Sequence, residues 1–277
     1  MRLIWAVMLC LMPFVSVRAD EALEAIVNAR KMLRKGDAQA ALPIAQKAVE
    51  KDPKSIEAAL ILGDVFSSLR KQREAIEQYE RVLKIDPTFL IAQDRRGGER
   101  FKLGQVVESI ADFDAFLKAN PQEEPRHWRR GISYYYVGKY PEGAKQFYDG
   151  RMVFGADVEN AFWHYLCNAR QSGIEKARAG ILKVDEDRRV PMMKVYELIQ
   201  GKCLPAEVIE TVEKAKLEAA EKNEALFYGH LYVALNYEAE GKKEECRKHL
   251  EIAVEKHPIG HYMWDVAKVH LDRVKMK

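Results

Sequence analysis

Between residues 56 and 89, apolar and small side chains fall at Ala59, Leu62, Gly63 and Phe66, and again beyond a basic stretch at Ala75, Tyr79 and Val82. Both sets recur at the three- and four-residue spacing that gathers side chains on one face of a helix. Pro87 closes the second set, because proline lacks an amide proton and its ring clashes with the preceding turn. The pattern predicts two helices joined by a turn at residues 70–73.

The same pattern returns along the chain at a fixed period. Gly97, Gly104, Ser109, Phe113 and Pro121 stand one period after Gly63, Arg70, Ala75, Tyr79 and Pro87, and Ala29, Gly36, Ala41 and Ala45 stand one period before the corresponding positions. A fourth unit holds Gly131, Gly138, Gly143 and Phe147 but lacks the closing proline, so four units fill residues 20–157. A final unit, residues 227–260, carries Ala234, Tyr237, Gly241, Cys246, Leu250, Ala253 and Pro258. Repetition at such a period marks a solenoid, in which each hairpin has too little core alone and is stabilised by stacking on its neighbours. Small residues let the two backbones of a hairpin approach, and the aromatic positions fill the space towards the next one.

Residues 158–226 keep the period poorly. They read as an apolar helix over 161–171 closed by Gly173, a charged turn at 185–189, and a short helix over 192–200. One longer helix then runs from Pro205 to about Asn223. This segment is a degenerate repeat plus an extra helical pair, and residues 261–277 form an amphipathic capping helix.

Composition narrows the function classes. Of the 277 residues 48% are hydrophobic, enough for a packed interior. The 45 Lys and Arg against 42 Asp and Glu are spread along the chain, so no basic block points to nucleic acid. Arg2, the apolar run at 3–15 and the small Val17 and Ala19 read as an export signal cleaved after Ala19, placing a soluble protein in the periplasm or outside the cell. A retained anchor is the second reading, since the run is short of the roughly 20 residues a bilayer needs and Pro13 interrupts it. Cys10 follows Leu9 instead of a small residue, which argues against lipid attachment. Cleavage leaves Cys167, Cys203 and Cys246, an odd number in a compartment where disulfides persist. A Cys167–Cys203 bridge is one expectation; three small buried hydrophobes is the other.

With Gly63, Phe66, Ala75, Tyr79, Val82 and Pro87 at its signature offsets, the chain resembles the tetratricopeptide repeat, a helix-turn-helix unit repeated in tandem. The resemblance implies an all-α, right-handed superhelix of helical hairpins that binds proteins or peptides in a concave groove, without catalysis and without a cofactor. Over residues 90–269 the order of parts also resembles the NlpI-type envelope proteins, lipoproteins that act as homodimeric adaptors between a periplasmic protease and cell-wall hydrolases. That likeness implies an envelope protease or hydrolase as partner, and a homodimer. An oligomeric assembly or secretion component is the alternative.

Enzymatic signatures are missing from the sequence. Gly201 and Lys202 lead into Cys203 where a phosphate-binding loop needs Ser or Thr. Cys246 and His249, with His257 and His261 nearby in the chain, have one ligand spacing of a metal site, but Cys246 occupies a core offset of the repeat. An enzyme using Cys203 or the Cys246/His249 pair is therefore the least favoured reading.

Two arginine pairs, Arg95-Arg96 and Arg129-Arg130, hold the same offset in successive repeats. Arg96 is expected to pair with Asp112 inside its own unit, and Arg130 to behave alike. Arg95 and Arg129 fall beside the groove face, which also carries Phe101, Lys102, Trp128, Tyr135 and Tyr136. Rings and cations on a concave surface suit an extended segment or helix of another protein. The competing expectation is that Trp128, Tyr135 and Tyr136 pack against adjoining helices.

Overall fold

The computed structural model of the chain describes residues 12–276, with side chains from residue 20. The export signal expected at residues 1–19 therefore lies largely outside the described residues. Every regular element among them is helical. Successive helices are α1 (Met12–Arg34), α2 (Ala38–Lys51), α3 (Ile56–Ser68), α4 (Gln72–Ile85), α5 (Ile91–Lys102) and α6 (Val106–Ala119). After a 3-10 turn at Pro121–Arg126 come α7 (Trp128–Tyr136), α8 (Tyr140–Gly150) and α9 (Val158–Ser172). The remainder is α10 (Ile174–Ala179), α11 (Met192–Ile199), α12 (Pro205–Lys214), α13 (Ala219–Ala239), α14 (Lys243–Lys256) and α15 (Tyr262–Lys275).

The turn inside each hairpin needs a residue in the left-handed region. Gly36, Gly104, Gly138 and Gly241 supply it with φ between 76 and 78°, whereas the second hairpin puts Arg70 there at φ 56°. Helix starts are fixed locally: the Asp37 carboxylate accepts from the Ala40 N–H at 2.9 Å, and the Ser55 hydroxyl from the Ala58 N–H at 3.1 Å.

The chain divides into two compact units, residues up to 103 with 111–119, and residues 104–110 with 120–277. The first unit is held by alanine seams. Ala29, Ala41, Ala45, Ala48 and Ala58 are fully buried together with Val65, and a second cluster joins Ala59, Ala75, Tyr79, Val82 and Ala92. The second unit is aromatic, with Phe147, Phe162, Trp163, Tyr165, Phe227 and Tyr232 all at 2% exposure or less.

The one long helix expected from Pro205 to about Asn223 is divided. α12 ends at Lys214, Ala215 turns extended at ψ 143°, and a new helix starts at Ala219 behind the cap Glu218, whose N–H bonds the Glu221 carboxylate. α13 thus enters the last repeat at Ala219, ahead of Phe227 where the periodicity puts its start.

The disulfide expectation is corrected, since Cys167, Cys203 and Cys246 are all free thiols. Cys167 is buried in α9 against Gly143, where a Cβ would come within 2.8 Å of its sulfur. Cys203, between α11 and α12, donates its thiol to the Lys194 carbonyl at 3.4 Å. The two sulfurs expected to pair are thereby committed to separate surroundings.

Candidate functional site

The recurring arginines serve the repeats first. Arg96 forks onto both oxygens of Asp112 at 3.0 and 2.6 Å, as the sequence predicts, and Arg100 adds a third bond to that carboxylate at 2.9 Å. One repeat later two Arg130 nitrogens converge on the single amide oxygen of Gln146, at 2.9 and 2.7 Å, and Arg130 pairs with Glu124 at 2.6 Å. These planar, multidentate contacts suit a guanidinium and tie the first helix of a repeat to its second.

The groove residues of the first unit are likewise engaged. Arg95 pairs with Asp64, which also accepts from the Tyr79 hydroxyl at 3.0 Å; burial raises the Asp64 pKa and Arg95 only partly offsets it. Lys102 reaches Glu99 at 2.7 Å, and Ser67 donates to the same carboxylate at 2.6 Å. Phe101 is fully buried and offers no surface, a correction to its expected place on a groove wall.

In the second unit Tyr135 and Tyr136 are corrected in the same way. Both are nearly buried, at 3 and 6% exposure. The Tyr135 hydroxyl donates to Glu238 of α13, and that of Tyr136 bonds His270 of α15 at 2.9 Å. Burial, with the Glu238 charge, raises both phenol pKa values. The cause lies in the C-terminal helices, which pack over α7 and claim these rings.

Trp128 and Arg129 stay at the surface of α7, half-buried. The Arg129 guanidinium lies over Tyr262 at 5.9 Å, and the Trp128 ring meets Tyr262 edge-on at 5.4 Å and stacks on His261 at 6.4 Å. Trp128 is also one wall of a cavity of about 340 Å³ that lies wholly within the second unit. The buried Ile132, Phe147, Trp163 and Tyr228 also line it, together with His261. The Tyr228 hydroxyl and His261 Nδ1 lie 3.1 Å apart, and burial lowers the His261 pKa, so that ring is neutral near pH 7.

One side of the cavity is charged. Arg189 gathers three carboxylates: Asp157 at 2.9 Å, Glu159 at 2.6 Å and Asp187 at 2.6 Å. Asp157 caps α9 through the Glu159 N–H at 2.8 Å, so helix start and charge cluster are built together. Burial holds the Glu159 pKa up, next to Asp157 and in spite of bonds from Tyr232 and Arg189. Burial acts upward on Asp187 too, but its bonds from Arg189 and the Val158 N–H prevail and lower it. Glu224 completes the rim from α13, exposed.

Of the residues that helical periodicity places on the groove face, Trp128 and Ile132 line this cavity. Ile132, Phe147 and Asp157 come from the fourth repeat, Glu159, Trp163, Arg189 and Glu224 from the irregular segment, Tyr228 from the last repeat and His261 from just before α15, so the site joins distant parts of the sequence. The run at 185–189 is visible as a charged turn, but nothing local shows that Arg189 closes on Asp157 and Glu159. No group of three His, Cys, Asp or Glu side chains among the described residues is arranged to hold a metal ion. No described helix is long and apolar enough to cross a membrane.

Comparison with known proteins agrees with this architecture. Residues 27–88 match the tetratricopeptide repeat family. DnaJ homolog subfamily C member 3 is 32% identical over 123 residues in Rattus norvegicus and 31% in Homo sapiens. The match takes in 40% of this chain and 24% of those proteins, so the chain spans about a quarter of their length. A tetratricopeptide repeat protein from Parabacteroides merdae superposes with a TM-score of 0.61 at 18% identity, over 93% of this chain and all of that one. MamA from Desulfovibrio magneticus gives 0.54 at 19%, over 58% of this chain and 90% of that one. At these identities the likeness is one of fold.

Proposed function

We propose, on the premise that the chain is a protein of stacked tetratricopeptide repeats, that it is an adaptor whose docking site is the cavity beside Trp128. The observation that carries this reading is a partly exposed tryptophan lining a concave space together with the aromatic rings of Phe147, Trp163 and Tyr228. Tryptophan buries a large area with little rotamer loss, and it is enriched where a few side chains dominate binding. The residues expected to line a groove are mostly spent on internal packing, so the docking role passes to Trp128, which is partly exposed and lines the cavity.

In this reading residues 1–19 direct export and the partner is an envelope protease or a cell-wall hydrolase. The support is the apolar run with small residues at positions 17 and 19, together with the order of parts shared with NlpI-type proteins. The adaptor itself is non-catalytic. Its thiols are poor nucleophiles, because burial pushes Cys246 up to about 12 and raises Cys203 as well.

Capture from native envelopes by cross-linking tests the reading. Trp128→Ala should lower recovery of the captured protein at least tenfold, as a truncated anchor costs about 2 kcal/mol or more. Equal recovery by a variant with unchanged circular dichroism would overturn it.

A further inference from the structure

We infer that the cavity beside Trp128 recognises a basic side chain, arginine or lysine, on an extended segment of the partner. The inference rests on the adaptor reading above and names the chemistry that site selects. The cavity is lined by three carboxylates, Asp157, Glu159 and Glu224, against the single cation Arg189. Arg189 is itself shared with a further carboxylate, Asp187, and His261 adds no positive charge. The field in the space is negative, and low-polarity walls concentrate it.

The walls favour the same kind of group. Trp128 and Tyr228 present aromatic rings to the same space. A ring face attracts a cation through its quadrupole, more strongly when water is excluded, and it gives an anion nothing comparable. Carboxylates beside aromatic rings therefore select a guanidinium or ammonium group on an apolar stem, which is the form of an arginine or lysine side chain.

Shape indicates that the cation arrives on a chain. A second cavity of about 280 Å³ shares Arg189, Glu224 and Tyr228 with the first, so the two adjoin. Its charges balance, with Arg188 and Arg189 against Glu221 and Glu224. Its apolar lining comes from Val190, Met192, Leu217 and Ala225. Side chains two apart on an extended strand point the same way, about 7 Å from each other. A basic residue in the first compartment and an apolar residue two positions along in the second satisfy both at once.

The test uses the full chain and acetylated, amidated hexapeptides with leucine at the fifth position. The third position holds arginine, lysine, citrulline, leucine or glutamate, and binding is measured by calorimetry. The arginine and lysine peptides should bind at least tenfold more tightly than the citrulline peptide, which keeps the shape of arginine without its charge. Glu224→Lys, a change on the exposed rim, should weaken the two basic peptides about tenfold and leave the citrulline peptide as it was. If arginine and citrulline peptides bind equally and Trp128→Ala abolishes both, the cavity is a peptide site and its cationic selectivity is refuted. If no peptide binds while native capture still depends on Trp128, the inference fails and the adaptor reading stands. If neither depends on Trp128, both fall.

Discussion

The turn residue of the second hairpin shows how one side chain can work against a repeat. At Arg70 the backbone sits at φ 56°, a region that costs a residue with a Cβ about 1–2 kcal/mol. Glycine holds the equivalent position in the first, third, fourth and last hairpins. Arg70 is exposed, so its replacement empties no core. Arg70→Gly should stabilise the protein, by about 0.5–1 kcal/mol once glycine's larger unfolded-state entropy is set against the relieved strain. A urea denaturation midpoint that falls would refute this. Other offsets of the repeat are filled for an equally direct reason: a Cβ on Gly97 would lie 2.8 Å from the Phe113 ring, and one on Gly131 the same distance from Phe147. Positions of this kind are legible in the sequence, because the constraint on Gly97 or Gly131 lies within one hairpin. Phe101, Tyr135 and Tyr136 are misplaced as groove residues because face periodicity shows which residues share a side, and not whether a later helix covers it.

Among elements, the α13–α14 hairpin carries a feature that the repeat pattern does not foretell. His230 Nδ1 of α13 and His249 Nδ1 of α14 lie 2.9 Å apart, and the His257 ring stacks on His230 at 5.8 Å. His257 in turn meets Asn223 at 3.1 Å, near the start of α13. Burial, then the neighbouring His249 and His257, lowers His230 to about 4, and burial lowers both of those neighbours. These rings bind protons more weakly when folded than in the unfolded chain, where histidine titrates near 6.5. The linkage therefore gives full stability above about pH 6.5 and a progressive loss as pH falls towards 4. The denaturation midpoint should drop between pH 7 and 5, and His230→Gln should flatten that dependence. A midpoint equally pH-dependent in the variant would assign the effect elsewhere. The sequence places these histidines near one another in the chain, but Asn223, which meets His257, joins the hairpin only because α13 starts at Ala219. That start follows from the Glu218 and Glu221 cap, a weaker signal than the proline that opens α12.

At the scale of the molecule the two units are closed by contacts of different range, and this predicts unequal responses to loss of the last helix. In the first unit the alanine seams join helices next to one another in sequence, as expected of a solenoid whose stability is a sum of nearest-neighbour terms. In the second, α15 returns to α7: Tyr136 bonds His270 at 2.9 Å and the Val266 carbonyl at 3.3 Å, and Arg273 reaches the Tyr136 carbonyl. Met263, Val266, Ala267 and Leu271 are buried in that contact region or against α14. Deleting residues 262–277 removes this cover and, with Met263, one side of the cavity. α7 spans only Trp128–Tyr136, too short to persist without tertiary support. Amide hydrogen exchange in α7 and α13 should then accelerate at least tenfold, which corresponds to about 1.4 kcal/mol or more of lost local stability. α2 to α4, whose partners are all local, should exchange as in the full chain. Equal acceleration in both groups would mean that the units open together, and that the cavity beside Trp128 is held by the whole chain and not by the return of α15.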